Sequence, residues 1–244
     1  MQNKIINLIH IAIHAIIIVM GSVAIILQAI SSSQSPLSEG GFAIFRYFTI
    51  DGNIFICVSS IVIMSYLIYA YIKKKDIPNY IYILHLMSAV SSLLIFLTVM
   101  VVLLPYYGSI LLIGYIMIVL HATNPIIAVL SFLFLYKNKI TNRLALLGIM
   151  PMAVYGIIAI ILVASKVWTG NLIPYPFLKL YDNPWWQSVL YITSMFGGSA
   201  LAGLLLAFAS NKLYVLNYGK LGKTIIGAVV FAILLGLLLL LILI

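Results

Sequence analysis

Apolar residues run through this chain in long blocks separated by short polar breaks. The blocks fall at about 5–30, 42–72, 79–104, 109–136, 144–167, 186–210 and 224–244, and each reaches the roughly 20 residues that an α-helix needs to cross the hydrocarbon core of a bilayer. The pattern predicts an all-α polytopic membrane helix bundle, a single transmembrane domain over 1–244 with six core helices and a seventh at the C-terminus. The last block has no polar residue after Thr224, so it can face lipid all round and is expected at the periphery. No internal repeat divides the chain into the paired halves of many transporters.

Two of the breaks are longer than turns. Ser31 to Gly41 is rich in Ser and Gly and carries Glu39, which reads as a flexible loop. Lys166 to Trp186 holds Trp168, Tyr175, Trp185 and Trp186 together with Pro174, Pro176 and Pro184. Aromatic side chains at that density belong at the headgroup boundary and the prolines oppose a helix, so an ordered non-helical cap is expected. Ten Lys and Arg residues fall on one side of the spans against Arg46, Lys166 and Lys179 on the other, which places the N-terminus in the cytoplasm. The first block is too long for the core of a secretion signal, and His10 and His14 interrupt it, so it reads as the first helix.

Composition sharpens this picture in three respects. With 65% hydrophobic and 7% charged residues and a mean hydropathy of +1.24, the chain lies far from the soluble mix of about 25% charged residues. The net charge of +9 sits in the connections, where it sets orientation, and no nucleic-acid partner is expected. Cys57 is the single cysteine, which excludes an intrachain disulfide and a cysteine-rich zinc site.

Candidate chemistry begins at Phe45 to Asn53, where Arg46, Asp51 and Asn53 enter an apolar span with Thr49 between them. Charged and amide groups in hydrocarbon usually face an interior, a cavity or a working site. Thr49 and Asn53 share a helix face at i and i+4, with Arg46 one turn above, and Asp51-Gly52 is a poor helix pair expected to loosen the helix locally. All four histidines also lie in spans. His10 and His14 share a face and could join His85 or His121 in a metal or haem site, or they could hydrogen-bond across the bundle. No carboxylate or cysteine cluster accompanies them, and no metal or cofactor is expected. His85 lies about 9 Å into its span, a depth expected to keep it from a shared site.

His121 opens His-Ala-Thr-Asn-Pro. Pro125 cannot donate to the carbonyl of His121, so a kink there would free a carbonyl beside the imidazole and Asn124. Measured along their helices from one surface, Thr49 and His121 both fall roughly 6–18 Å deep and can occupy one layer. A hydroxyl beside a neutral imidazole is the minimal pair for nucleophilic catalysis, and an amide or a freed N–H would stabilise the oxyanion. On residue types alone, however, Thr49 reads first as a helix hydroxyl bonded to a preceding carbonyl.

Three motifs change that balance: Phe-Arg-Tyr-Phe-Thr-x-x-x-Asn at 45–53, Leu-His-x-x-x-Pro at 120–125 and Tyr-Pro-Phe-Leu at 175–178. In their order and spacing the chain resembles the family of membrane threonine hydrolases that includes the androgen-induced and androgen-dependent TFPI-regulating proteins and their bacterial integral-membrane relatives. The resemblance implies hydrolysis of amphiphilic lipid esters, of the type of fatty acid esters of hydroxy fatty acids, with Thr49 as nucleophile and His121 as general base and acid. From position, Asn53 and Asn124 would support that pair, Arg46 would hold a substrate carboxylate and Asp51 would orient His121, while Tyr175 would help bind substrate. The expected partner is a membrane lipid or lipid-like ester, and the expected location is the plasma (inner) membrane of a prokaryote with the site in the outer half of the bilayer. The other reading from the same residues is a non-catalytic protein that binds or transports a small amphiphile through one polar pocket.

Overall fold

A computed structural model describes residues 4–30, 41–135 and 139–215. Within them, helices long and apolar enough to span a membrane run over Leu8–Ile30, Phe48–Lys73, Asn79–Leu103, Tyr115–Leu133, Asn142–Ala164 and Trp185–Leu213. The protein is therefore an all-α polytopic integral membrane protein, and no strand occurs among the described residues. The expected seventh span, 224–244, and most of the Ser31 to Gly41 loop lie outside the described residues.

The helical segments are α1 (Lys4–Ile30), α2 (Phe48–Lys73), α3 (Asn79–Leu97), α4 (Leu104–Tyr107), α5 (Tyr115–Ile118), α6 (Asn124–Leu135), α7 (Asn142–Ala145), α8 (Met150–Ala164) and α9 (Trp185–Val215). Two spans start later than hydropathy suggests. A 3-10 turn, Gly41–Arg46, precedes α2 and Tyr47 is extended at φ −97, ψ 125, so Arg46 stands outside the helix instead of within its first turns. The fourth span begins at Tyr115, not near 109, because Gly108 and Gly114 take φ +74 and +83 on either side of a 3-10 turn, Gly108–Leu112. Only glycine adopts such angles without strain.

Prolines also widen two helices. The third span passes from α3 into a π turn, Thr98–Leu103, and the fourth passes through another, Val119–Thr123. In each, the residue before the proline donates five residues back: Leu104 N–H to the Val99 carbonyl ahead of Pro105, and Asn124 N–H to the Val119 carbonyl ahead of Pro125. The next carbonyl in that wide register, Met100 or Leu120, would need an N–H that proline lacks.

By contrast α2 runs unbroken through Asp51-Gly52, so the expected loosening is absent. The glycine serves close packing instead: a Cβ at position 52 would lie 2.7 Å from Cδ1 of Ile95 on α3. Gly21 does the same on α1, where a Cβ would collide with the side chains of Asn124 and Cys57. Small residues at such crossings let membrane helices approach closely. Core residues Ile56, Ile95, Val99, Ile127 and Tyr155 pack together towards one end of the bundle, Leu67, Leu86, Phe132 and Leu206 pack elsewhere, and Met20, Ile50, Val119 and Leu120 join α1, α2 and the fourth span.

The segment between α8 and α9 forms the ordered cap that its prolines and aromatics predict. It holds two short 3-10 turns, Gly170–Leu172 and Pro176–Leu178. Tyr175 and Leu178 are buried, and the Tyr175 ring stacks on Phe177 at 4.9 Å and meets Tyr47 edge-on at 6.0 Å. The cap thus rests on the turn that starts α2.

Candidate functional site

Asn53 holds the centre of the site. Thr49 is the second residue of α2 and Asn53 lies one turn further, and both are buried. Asn53 Nδ2 donates to the carbonyl of Thr49 at 2.7 Å and to that of Leu120 at 2.9 Å. Both partners are pure acceptors, so the amide nitrogen must face them. Leu120 is the residue whose helix partner Pro125 removes, and the buried amide supplies the missing donor. The freed carbonyl is therefore that of Leu120, not His121, and the amide that takes it is Asn53, not Asn124; the π register shifts the vacancy by one residue. Asn53 Oδ1 has no hydrogen-bond partner among the described residues.

Beside Leu120, the His121 ring is buried with Nδ1 2.8 Å from the Leu111 carbonyl. A carbonyl can only accept, so Nδ1 carries the proton and Nε2 presents its lone pair. That is the tautomer a general base requires. Leu111, in the Gly108–Leu112 turn, occupies the orienting role expected of Asp51. Asp51 lies about 200° around α2 from Thr49 at 3.6 residues per turn, and it lines a groove against α8. No hydrogen bond joins Thr49 to His121 among the described residues.

The start of α2 brings further donors to Thr49. The first N–H groups of any helix lack intrahelical partners, and here the Tyr175 hydroxyl faces the N–H groups of Phe48 and Thr49 and the Thr49 side chain. Burial raises the Tyr175 pKa above that of an ordinary phenol, and the contacts with Thr49 and Phe48 offset part of that rise. The phenol therefore stays protonated and can donate. Its raised pKa gives stability that is complete below the unfolded value of about 10 and lost as pH rises towards the folded value. Melting in detergent should accordingly fall more steeply above about pH 10 for the native chain than for Tyr175→Phe; equal alkaline slopes would show that Tyr175 does not carry this linkage.

Arg46 and Asn124 are placed differently from the sequence expectation. Arg46 donates from Nη1 to the Leu172 carbonyl at 3.0 Å and from Nε to the Ala43 carbonyl at 3.3 Å, while its own carbonyl accepts from Tyr155 at 2.8 Å. The guanidinium thus ties the cap to the 3-10 turn. Asn124 Nδ2 donates to the Ile17 carbonyl of α1 at 3.5 Å, in the space that Gly21 leaves open, and its Oδ1 has no partner among the described residues.

The remaining histidines form their own layer. His85 comes to 5.0 Å from His14 and 6.3 Å from His10 between ring centroids, against the expectation that depth would separate it. Lys4–His10 and Asn79–His85 are equal steps into helices that begin at the same end of the bundle, so the rings meet. His14 Nδ1 lies 3.1 Å from the Ser60 hydroxyl and His85 Nε2 lies 2.8 Å from that of Ser131. Among the described residues no group of three or more His, Cys, Asp or Glu side chains is disposed to hold a metal ion.

Sequence reasoning did not find Leu111, Tyr155 or the role of the Leu120 carbonyl. Leu111 and Leu120 act through backbone carbonyls, which no side-chain motif encodes; Pro125 and the Gly108/Gly114 pair were the available signals. Comparison with family models, with curated proteins and with solved structures finds no match for this chain.

Proposed function

We propose that this protein is an intramembrane hydrolase of amphiphilic lipid esters, with Thr49 as nucleophile and His121 as general base and acid. The observation that carries the reading is the Asn53 amide, which binds the Thr49 carbonyl and the Leu120 carbonyl at once and so sets the hydroxyl-bearing turn of α2 against the turn that bears the imidazole. The Leu111 contact, which leaves Nε2 free to accept, supports it, as does the resemblance of the three motifs to the membrane threonine hydrolases.

In this mechanism Nε2 of His121 takes the Thr49 proton as Oγ1 bonds to the ester carbonyl carbon. Negative charge on the former carbonyl oxygen develops beside the Phe48 and Thr49 N–H groups and the Tyr175 hydroxyl, at the positive end of the α2 dipole. Collapse breaks the ester C–O bond, and the alcohol leaves with the proton from Nε2. Water then repeats the sequence on the acyl-threonine, losing its proton to Nε2, releasing the acid and restoring Thr49. The distribution of Lys and Arg favours an orientation with this site in the outer half of a prokaryotic plasma membrane.

A fluorophosphonate probe tests the proposal. After exposure of the purified full chain, peptide mapping should place the adduct on Thr49; an adduct on another residue, or none in a sample that hydrolyses esters, overturns the nucleophile assignment. The absence of a hydrogen bond between Thr49 and His121 among the described residues favours one rival, a carrier or binder of amphiphiles. That reading requires ester binding without turnover.

A further inference from the structure

A second site lies on another face of α2. Between α2, α3 and α8 runs a groove of about 500 Å³ lined by Phe45, Phe48, Phe55, Tyr155 and Trp168, with Asp51 in its wall. The groove extends along α8 from Met150 to Leu162, about 18 Å at 1.5 Å per residue, which is the depth of about one leaflet's hydrocarbon. Phe45, Val154 and Ile158 are exposed, so it opens sideways, towards the lipid.

Asp51 is the residue that needs explaining. Its carboxylate makes no hydrogen bond or ion pair with any described residue, although it is half-buried among apolar and aromatic side chains. A carboxylate in such surroundings is unfavourable unless a cation joins it or a proton neutralises it. A position in the first turn of a helix accounts for an acidic residue there, but not for aromatic rings gathered around it. Aromatic faces attract ammonium groups, and the rest of the lining suits a hydrocarbon chain.

We propose that the groove binds a single-chain amphiphile with an ammonium head group, the head against Asp51 among the aromatic rings and the chain along α8. The site is independent of Thr49 chemistry, and its occupant is recognised by positive charge, opposite to the carboxylate first expected at Arg46.

The test uses the full chain in a maltoside detergent with Trp185→Phe and Trp186→Phe, which leaves Trp168 as the single tryptophan. Two probes with brominated chains, an alkyltrimethylammonium and a fatty acid, report occupancy by quenching Trp168. The cationic probe should quench at a concentration about tenfold lower or better. Asp51→Asn should erase that preference, and Val154→Phe, which fills the groove, should weaken quenching by both probes. Equal quenching by both probes in the parent chain, or a preference that survives Asp51→Asn, overturns the proposal. In nanodiscs, displacement of the cationic probe by lysophosphatidylcholine but not lysophosphatidylglycerol assigns the head group to a single-chain membrane lipid, whereas retention against both assigns it to a free amphiphile.

Discussion

Thr49→Ala is expected to abolish ester hydrolysis and His121→Ala to lower it by about 10²–10⁴-fold, the range that general acid–base catalysis supplies, with both variants inserting and Thr49→Ala melting like the parent. The two residues are unequal for a physical reason. Without Thr49 Oγ1 no acyl-enzyme can form, whereas without the imidazole the hydroxyl still sits beside the Phe48 and Thr49 N–H groups and Tyr175 and can attack slowly. His121 Nδ1 bonds only to the Leu111 carbonyl, so its removal orphans one buried acceptor, at a cost of about 1–3 kcal/mol, and leaves α2 in place. The measurement is single-turnover hydrolysis of a fluorogenic long-chain ester alongside thermal melting. Full activity in Thr49→Ala would end the proposal, and a His121→Ala loss no larger than its unfolded fraction accounts for would make the imidazole structural.

The second large effect is expected at Asn53. Asn53→Leu keeps the approximate volume but removes both donated bonds. The Thr49 carbonyl retains its place in the α2 ladder, but the Leu120 carbonyl has no other donor within its π turn, since Asn124 N–H goes to Val119 and Pro125 has none. An unsatisfied buried carbonyl costs about 1–3 kcal/mol, and hydrolysis should fall as the two turns separate. Pro125→Ala supplies an N–H for that carbonyl, so Asn53→Leu should destabilise the Pro125→Ala background measurably less. Strict additivity of the two changes in a double-mutant cycle would exclude the proposed link.

The spans were legible because hydropathy alone decides which segments leave water, and each described span overlaps its block. Span starts were less so: Phe42 and Ile110 are as apolar as any helix residue, but the extended Tyr47 and the backbone angles of Gly108 and Gly114 delay the helices there. Thr49 and Asn53 could be placed on one face because α2 is regular from Phe48. Asp51 and Asn124 could not be placed, the first because orientation towards a partner depends on packing against α8, the second because a π turn rotates every later residue of its helix about the axis. The meeting of His10, His14 and His85 depended on which helix ends coincide, which a depth count along one helix at a time does not compare.

The partner of His121 has a further implication. Leu111 belongs to neither flanking helix; it sits on a short arc with glycine joints at Gly108 and Gly114. The tautomer of the imidazole is therefore set by a connector and not by a helix: the proton prefers Nδ1 over Nε2 because the Leu111 carbonyl sits there. Substitutions in that arc would accordingly shift the tautomer of His121 without changing either Thr49 or His121.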